Sequence, residues 1–195
     1  MNSQCKLTVL ALAGSLRRES FNRRLVKAAV IRAPAGVIVS PYENLDTVPL
    51  FSEDLETQGV PEPVLRLREA VRCSDAVLIS TPEYNQSLPG VVKNAVDWLS
   101  RGDPNVLSGR PVGILGITAG LWGTRFAQSM LRHTLTACGA LVMPQPQLYL
   151  ADGGRVFAAD GALADERVGA QLGEFLVSLR DWAFRLGARA DGRPG

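Results

Sequence analysis

The sequence predicts an α/β fold: a single domain with a doubly wound, parallel, five-stranded sheet and helices on both faces. Three observations carry this. Five short apolar runs alternate along the chain with five amphipathic helical patterns. The runs at Leu7–Ala13, Ala76–Ser80 and Arg110–Ile117 are apolar at nearly every position instead of at every second one, the mark of strands covered on both faces. Each of these three runs then passes into a helix through a loop rich in Gly, Pro, Ser, Thr and Asn.

The first run, LTVLALA, is too short for a buried helix and right for a strand. Gly14, Ser15, Arg17, Ser20 and Asn22 follow it, and then Phe21, Leu25, Ala28 and Ala29 recur at helical spacing, so a helix is expected from Phe21 to Arg32, ending before Pro34 and Gly36. At such a junction the first helical N–H groups lack partners and the helix dipole favours an anion. Hydroxyl and amide side chains add donors, and Arg17 or Arg18 adds charge. The loop is therefore suited to a phosphate, although Ser20 or Asn22 acting only as a helix cap would give the same pattern. It contains neither GxGxxG nor GxxxxGK[ST]. Hydroxyls with arginine in place of glycine-rich wrapping suit a terminal monophosphate better than a pyrophosphate.

Val37–Val39 is a short second strand, and from Pro41 to Pro63 the pattern breaks up around four prolines at 41, 49, 61 and 63. A connection of that length points to a pocket wall or a subunit contact. A second helix carries Val64, Leu67 and Val71, and Asp75 opens the strand AVLIS. The stretch TPEYNQSLPGVVKNAVDWLSR, Thr81 to Arg101, is a turn-rich loop running into a helix with Val92, Ala95, Val96 and Leu99 on its stripe, Pro89 sitting in the first turn. RPVGILGI is the fourth strand, Thr118–Thr124 a third loop, and Ala127, Met130, Leu131, Leu135 and Cys138 mark one side of the next helix. The fifth strand region, Ala140–Leu150, is interrupted by Pro144 and Pro146; Asp152–Asp165 reads as loop; Val168 to Leu186 is the last helix. Short right-handed crossovers limit the topologies, and with the flavodoxin-like order 2-1-3-4-5 the loops after strands one and three flank the switch point where ligands bind.

Composition narrows the function. The chain has 195 residues, 46% hydrophobic and 21% charged, with a net charge of +2. There is no basic stripe with interleaved aromatics for nucleic acid and no apolar run of about 18 residues for a membrane span. MNSQCK leads directly into the first strand without a leader pattern, so the expected compartment is the cytoplasm. Cys5, Cys73 and Cys138 are widely spaced and His133 is the only histidine, so neither a metal site nor a disulfide framework is expected and each thiol is read as buried and reduced.

Taken together, GSLRRESFN, VPLFSEDL, PEYNQSLPGVVKNAVDWLSR and the G-x-x-x-G-x-x-G-x-x-x-x-Q run from Gly116 to Gln128 resemble the NAD(P)H-dependent FMN reductase family, which includes bacterial quinone and chromate reductases. The resemblance covers nearly the whole chain. It implies residues 1–187 as an FMN-binding reductase domain, and the Gly- and Pro-containing end of the chain, 188–195, reads as a disordered tail. It implies that Ser15, Arg17, Ser20 and Asn22 hold the FMN phosphate, with Phe21 beside them. Pro82, Glu83, Tyr84 and Asn85 pass along the isoalloxazine, Ser87 lies close to it, and Thr118 and Gly120 border the ribityl chain or ring. Where family members commonly carry Ser-Pro in the third loop, this chain has Thr118-Ala119 followed by Leu121-Trp122, which alters the outer pocket.

The implied activity is electron transfer from NADPH or NADH through FMN to a small acceptor such as a quinone, free flavin, chromate or an azo compound, in a ping-pong cycle. Backbone N–H groups of the second loop can stabilise the charge that reduction puts on a flavin, so no catalytic side chain is required. Arg18, Arg101, Arg110 and Arg125 are the candidates for the 2′-phosphate of NADPH. The long connection, Trp98 and Trp122 point to a homodimer or homotetramer, as does the family. The alternative is a flavodoxin-like electron carrier or a flavin-binding regulatory protein. Such carriers are strongly acidic, and a charge of +2 with arginines in the first loop favours the enzyme.

Overall fold

The computed structural model describes residues 6–187, so Cys5 and the expected tail at 188–195 lie outside the described residues. In chain order the elements are β1 (Leu7–Ala13), α1 (Phe21–Ile31), β2 (Val37–Tyr42), α2 (Glu53–Thr57), α3 (Glu62–Arg72), β3 (Ala76–Ser80), α4 (Gly90–Leu99), β4 (Pro111–Ile117), α5 (Arg125–Ala137), β5 (Leu141–Val142), β6 (Leu148–Leu150), α6 (Gly153–Val156) and α7 (Glu166–Arg185). The strands pair in the order β2-β1-β3-β4-β5, with β6 also on β4, and every pairing is parallel.

Alternation along the strands builds two cores. Leu7, Val9 and Ala11 face α1 and α7, while Leu10 and Leu12 face the opposite layer of α3, α4 and α5. Phe175, Leu176 and Leu179 of α7 are fully buried on the first side, and Val64, Leu67 and Val71 of α3 on the second. The near-continuous apolar runs of β1, β3 and β4 follow from cover on both faces.

The fifth strand position is split. β5 pairs with the start of β4 (Pro111↔Leu141) and β6 with its end (Leu115↔Leu148), the two pieces separated where Pro144 and Pro146 remove ladder donors. Pro41, expected to lie beyond the second strand, pairs with Ala11 inside β2, which as an edge strand has no outer neighbour to miss its N–H. α6 is a four-residue helix within a segment expected to be loop, too short to show a helical period.

The connection after β2 is folded down onto α4. Asn94 accepts the Phe51 N–H at 2.7 Å and donates to the Pro49 carbonyl at 2.9 Å, which also receives the Trp98 indole N–H at 2.8 Å. The Phe51 ring meets Trp98 edge-on, with centroids 4.9 Å apart. Trp98, expected near an interface, is instead fully buried. Buried Arg68 donates to the Trp98 carbonyl at 3.0 Å, and Glu56 of α2 pairs with Arg101 at 2.8 Å.

Cys73 departs from the expected buried thiol. It is exposed and donates to a Glu69 carboxylate oxygen at 3.1 Å, a contact that raises its pKa. Cys138 is half-buried, and burial pushes its thiol up. Among the described residues no helix is long and apolar enough to cross a membrane, and no group of three His, Cys, Asp or Glu side chains could hold a metal ion.

Candidate active site

The carboxyl ends of β1, β3 and β4 lie side by side, and the loops leaving them meet above the sheet. Close approach is enforced by small residues. A Cβ on Gly14 would stand 2.5 Å from Val92 Cγ2, and one on Gly116 would stand 2.2 Å from the Thr81 carbonyl. The Gly14 N–H donates to the Ser80 carbonyl at 2.8 Å, which ties the first loop to the second.

Ser20 is the N-cap of α1, its Oγ accepting the Asn22 N–H at 3.2 Å from an extended backbone. No acidic side chain occupies the first turn, so the positive end of the helix dipole is uncompensated. Ser15 is buried and its hydroxyl lies 3.1 Å from that of Tyr84. The Arg17 guanidinium lies 5.8 Å from the centroid of the Phe21 ring, which Arg24 approaches to 5.7 Å, and among the described residues Arg17 has no carboxylate partner. The Asn22 side chain is committed elsewhere. Its Oδ1 accepts from Ser80 Oγ at 2.9 Å and from the Ile117 N–H at 3.1 Å, and its amide donates to the Ile117 carbonyl at 2.9 Å. Asn22 thus joins α1, β3 and β4 at the switch point, and only its backbone N–H faces the capping serine.

In the second loop Tyr84 and Ser87 exchange backbone hydrogen bonds at 3.1 and 3.0 Å around Asn85 and Gln86, whose φ values are 50° and 59°. This is a two-residue hairpin of type I′, in which Asn85 is at ease and Gln86 carries the left-handed penalty of about 1–2 kcal/mol. The Glu83 carboxylate turns away from the loop and accepts the Phe126 and Ala127 N–H groups at 2.9 and 3.0 Å, capping α5 across the sheet. Pro82 packs within 3.2 Å of the Cβ position of Gly14. α5 has no acidic residue of its own in its first turn and its N-cap Thr124 makes no side-chain cap bond. That deficit was readable in the sequence; its partner, 43 residues away, was not.

Thr118 and Gly120 are tied to the other side of the site. The Thr118 hydroxyl donates to the Gly120 carbonyl at 3.0 Å, and the Asp152 and Gly153 N–H groups donate to Gly120 and Thr118 carbonyls at 3.0 Å. Leu121 and Trp122 project into solvent, each 82% exposed. The structure therefore brings the residues of the first and second loops into direct contact through Ser15 and Tyr84, while Arg17, Thr118 and Gly120 make no hydrogen bond to that pair. Sequence reasoning gave no role to Ser80 and named Gln128 only as the end of a motif; Gln128 is fully buried and donates to Thr124 Oγ1 at 2.7 Å and the Leu148 carbonyl at 2.9 Å, holding the third loop.

The model of the family described as NADPH-dependent FMN reductase matches residues 7–154, most of the chain and all three loops. The chain belongs to this family. An NAD(P)H-dependent FMN reductase of Pseudomonas aeruginosa is 37% identical over 180 residues, covering 92% of this chain and 97% of that protein. A quinone reductase of Escherichia coli K12 is 37% identical over 172 residues, 88% of this chain and 86% of its own. Among solved structures, the flavoenzyme NAD(P)H:acceptor oxidoreductase FerB from Paracoccus denitrificans superposes with a TM-score of 0.84 at 35% identity, over 92% of this chain and 98% of that one. The FMN reductase is accordingly an oxidoreductase with FMN and NAD(P)H as its cofactors. The donor set fits FMN: a capped eleven-residue helix with no acidic residue in its first turn, buried Ser15 and Ser20, and Arg17, which has no carboxylate partner among the described residues, suit one phosphate dianion.

Proposed function

We propose that the protein passes electrons from NADPH or NADH, through FMN, to a small acceptor of the quinone class, donor and acceptor taking turns at one site. The observation that carries this is the first loop: the first turn of α1 holds no acidic residue, Arg17 has no carboxylate partner among the described residues, and the Ser15–Tyr84 contact joins the loop to the second. Ser15, Arg17, Ser20 and the Asn22 N–H hold the phosphate, with Phe21 as the apolar wall under Arg17. Pro82, Glu83, Tyr84, Asn85 and Ser87 pass along the ring, with the Glu83 and Asn85 N–H groups, which the Tyr84–Ser87 hairpin does not use, offered to its edge, and Thr118 and Gly120 border the ribityl chain. FMN, when bound, supplies the two-electron hydride chemistry that the side chains lack. The protein's part is binding, orientation and exclusion of water; the sole histidine, His133, is exposed on α5 and takes no proton-transfer role.

Relatives named for quinone reduction support the acceptor class; free flavin, chromate and azo compounds are alternative acceptors that any exposed flavin edge can serve. The apolar surface formed by Leu121, Trp122, Phe126 and Met130 supports a homodimer or homotetramer, checked by light scattering at micromolar concentration. Stopped-flow absorbance is the deciding experiment. Bleaching by NAD(P)H and recolouring by a quinone, with parallel lines when both are varied, is the expected result. FAD in place of FMN by mass spectrometry, or no bleaching by either donor, would refute the proposal.

A further inference from the structure

On the β2 side of the first loop lies a second cleft of about 380 Å³, bounded by the carboxyl ends of β1 and β2 and by the outer side of α1. None of the residues assigned to FMN lines it. Four cations do: Arg18, Arg23, Arg24 and Lys27. Arg24 is committed, bonded to Glu19 at 2.9 Å, and this contact holds the Glu19 carboxyl below its usual range. Arg18, Arg23 and Lys27 have no carboxylate within ion-pair distance among the described residues. Three carboxylates line it as well, Glu19, Glu43 and Asp160, the last accepting the Ala162 N–H at 2.9 Å, so the cations exceed the anions by one. Arg23 and Lys27 are one turn apart on α1 and Arg18 stands in the loop before it, so the three cations repel one another and a dianion between them relieves that repulsion.

Of the other arginines near the loops, Arg110 and Arg101 are committed, and Arg125 does not line the cleft. Arg110 precedes β4 at the opposite end of the sheet, where it donates to the Ser74 carbonyl and is largely desolvated, which lowers its pKa. Arg101 is paired with Glu56 and lies over the Phe51 ring. Arg125 lies over the Tyr149 ring at 5.4 Å. Arg18 alone belongs to a set of free cations, and it belongs also to the loop that separates this cleft from the flavin phosphate.

We propose that the cleft receives the 2′-phosphate of NADPH, with Arg18, Arg23 and Lys27 as its charge partners; this rests on the NAD(P)H-dependent reductase reading above. Arg18 lies in the first loop, next to Arg17 of the proposed phosphate set, so the cleft adjoins the proposed flavin site. A phosphomonoester dianion matches the site better than the adenosine of NADH, which brings no charge there. Arg23 and Lys27 therefore determine donor specificity and leave the hydride step alone.

The test is kcat/KM for NADPH and for NADH at a fixed quinone concentration, in wild type, Arg23→Gln, Lys27→Gln and the double variant. Lys27 is exposed and Arg23 half-buried, both off the buried stripe of α1, where such substitutions are tolerated. The double variant is expected to lose about tenfold or more with NADPH, carried by KM, while NADH changes by less than about twofold and FMN content is unchanged. Competitive inhibition by 2′,5′-ADP weakens in parallel, and that by 5′-AMP does not. An unmoved NADPH to NADH ratio, or an equal loss with both donors, overturns the assignment while the reductase reading stands. Inorganic phosphate competing as well as 2′,5′-ADP would make the cleft a general anion site and overturns it too. Failure of both donors to reduce the flavin in wild type would instead defeat the reductase reading itself.

Discussion

The first loop and the long connection after β2 look alike as sequence: both are irregular and polar, and both follow a strand at the carboxyl end of the sheet. They differ in what their polar groups hold. In the connection, the Pro49 carbonyl takes two donors, the Phe51 N–H is taken by Asn94, and Glu56 sits between Arg101 and Arg68. In the first loop, Arg17 touches only an aromatic ring and the α1 N-terminus is met only by a serine. A loop that satisfies its own groups is scaffold, and one that leaves them free in a sheltered place is waiting for a ligand.

The largest expected effect tests the scaffold half. Trp98→Ala removes a fully buried indole and the donor to Pro49, and is expected to cost about 3–5 kcal/mol, read as a lower urea midpoint with unchanged slope. Asn94→Ala leaves the Phe51 N–H unpaired and should cost about 1–3 kcal/mol. In both, FMN affinity of the folded fraction stays within about twofold, as expected for residues outside the cradle. If flavin affinity instead fell in step with stability, the connection would be part of the cradle and the contrast would collapse.

Arg17→Ala tests the other half and should behave in the opposite way. Losing one charge-assisted contact to phosphate is worth about 1.5–3 kcal/mol, so FMN Kd rises by about tenfold or more. Stability without FMN falls by at most about 1 kcal/mol, the value of the cation–π contact with Phe21. Fluorescence titration with FMN decides it, and an unchanged Kd would confine Arg17 to the Phe21 ring.

How much of this was legible depends on whether the determining contacts are local. β1, β3 and β4 could be read because burial on both faces leaves an apolar run, and the doubly wound parallel sheet followed from the alternation with helices. The split of the last strand was half-legible: Pro144 and Pro146 gave the break, yet nothing local showed both pieces pairing with β4. Trp98 was misplaced because a tryptophan near a helix end reads the same whether it faces a partner or the chain's own returning loop. Asn22 was legible as a polar group at a phosphate loop, while the use of its side chain as a clamp on Ser80 and Ile117 depends on strands 58 and 95 residues away. Glu83 is the same case, its partners lying at the start of α5.

The smallest effect separates the two regions by their response to acid. Glu56 lies between Arg101 at 2.8 Å and Arg68 at 3.9 Å with its side chain 21% exposed. The hydrogen bond from Arg101 is the main cause that holds its carboxyl below the usual range, aided by the charges of Arg101 and Arg68 against a desolvation penalty. A carboxylate with a depressed folded pKa contributes stability that is complete above the unfolded value, about 4.3, and is lost as pH falls through the folded one. Wild type should therefore exceed Glu56→Gln in urea midpoint at neutral pH, the gap closing progressively below about pH 4.3. Arg17, with no carboxylate partner among the described residues, offers no such term, so Arg17→Ala should shift the midpoint by the same amount at pH 7 and pH 4. A gap for Glu56→Gln that persisted unchanged into acid would show that the side chain acts there through packing and not as the ionic tie that docks the connection.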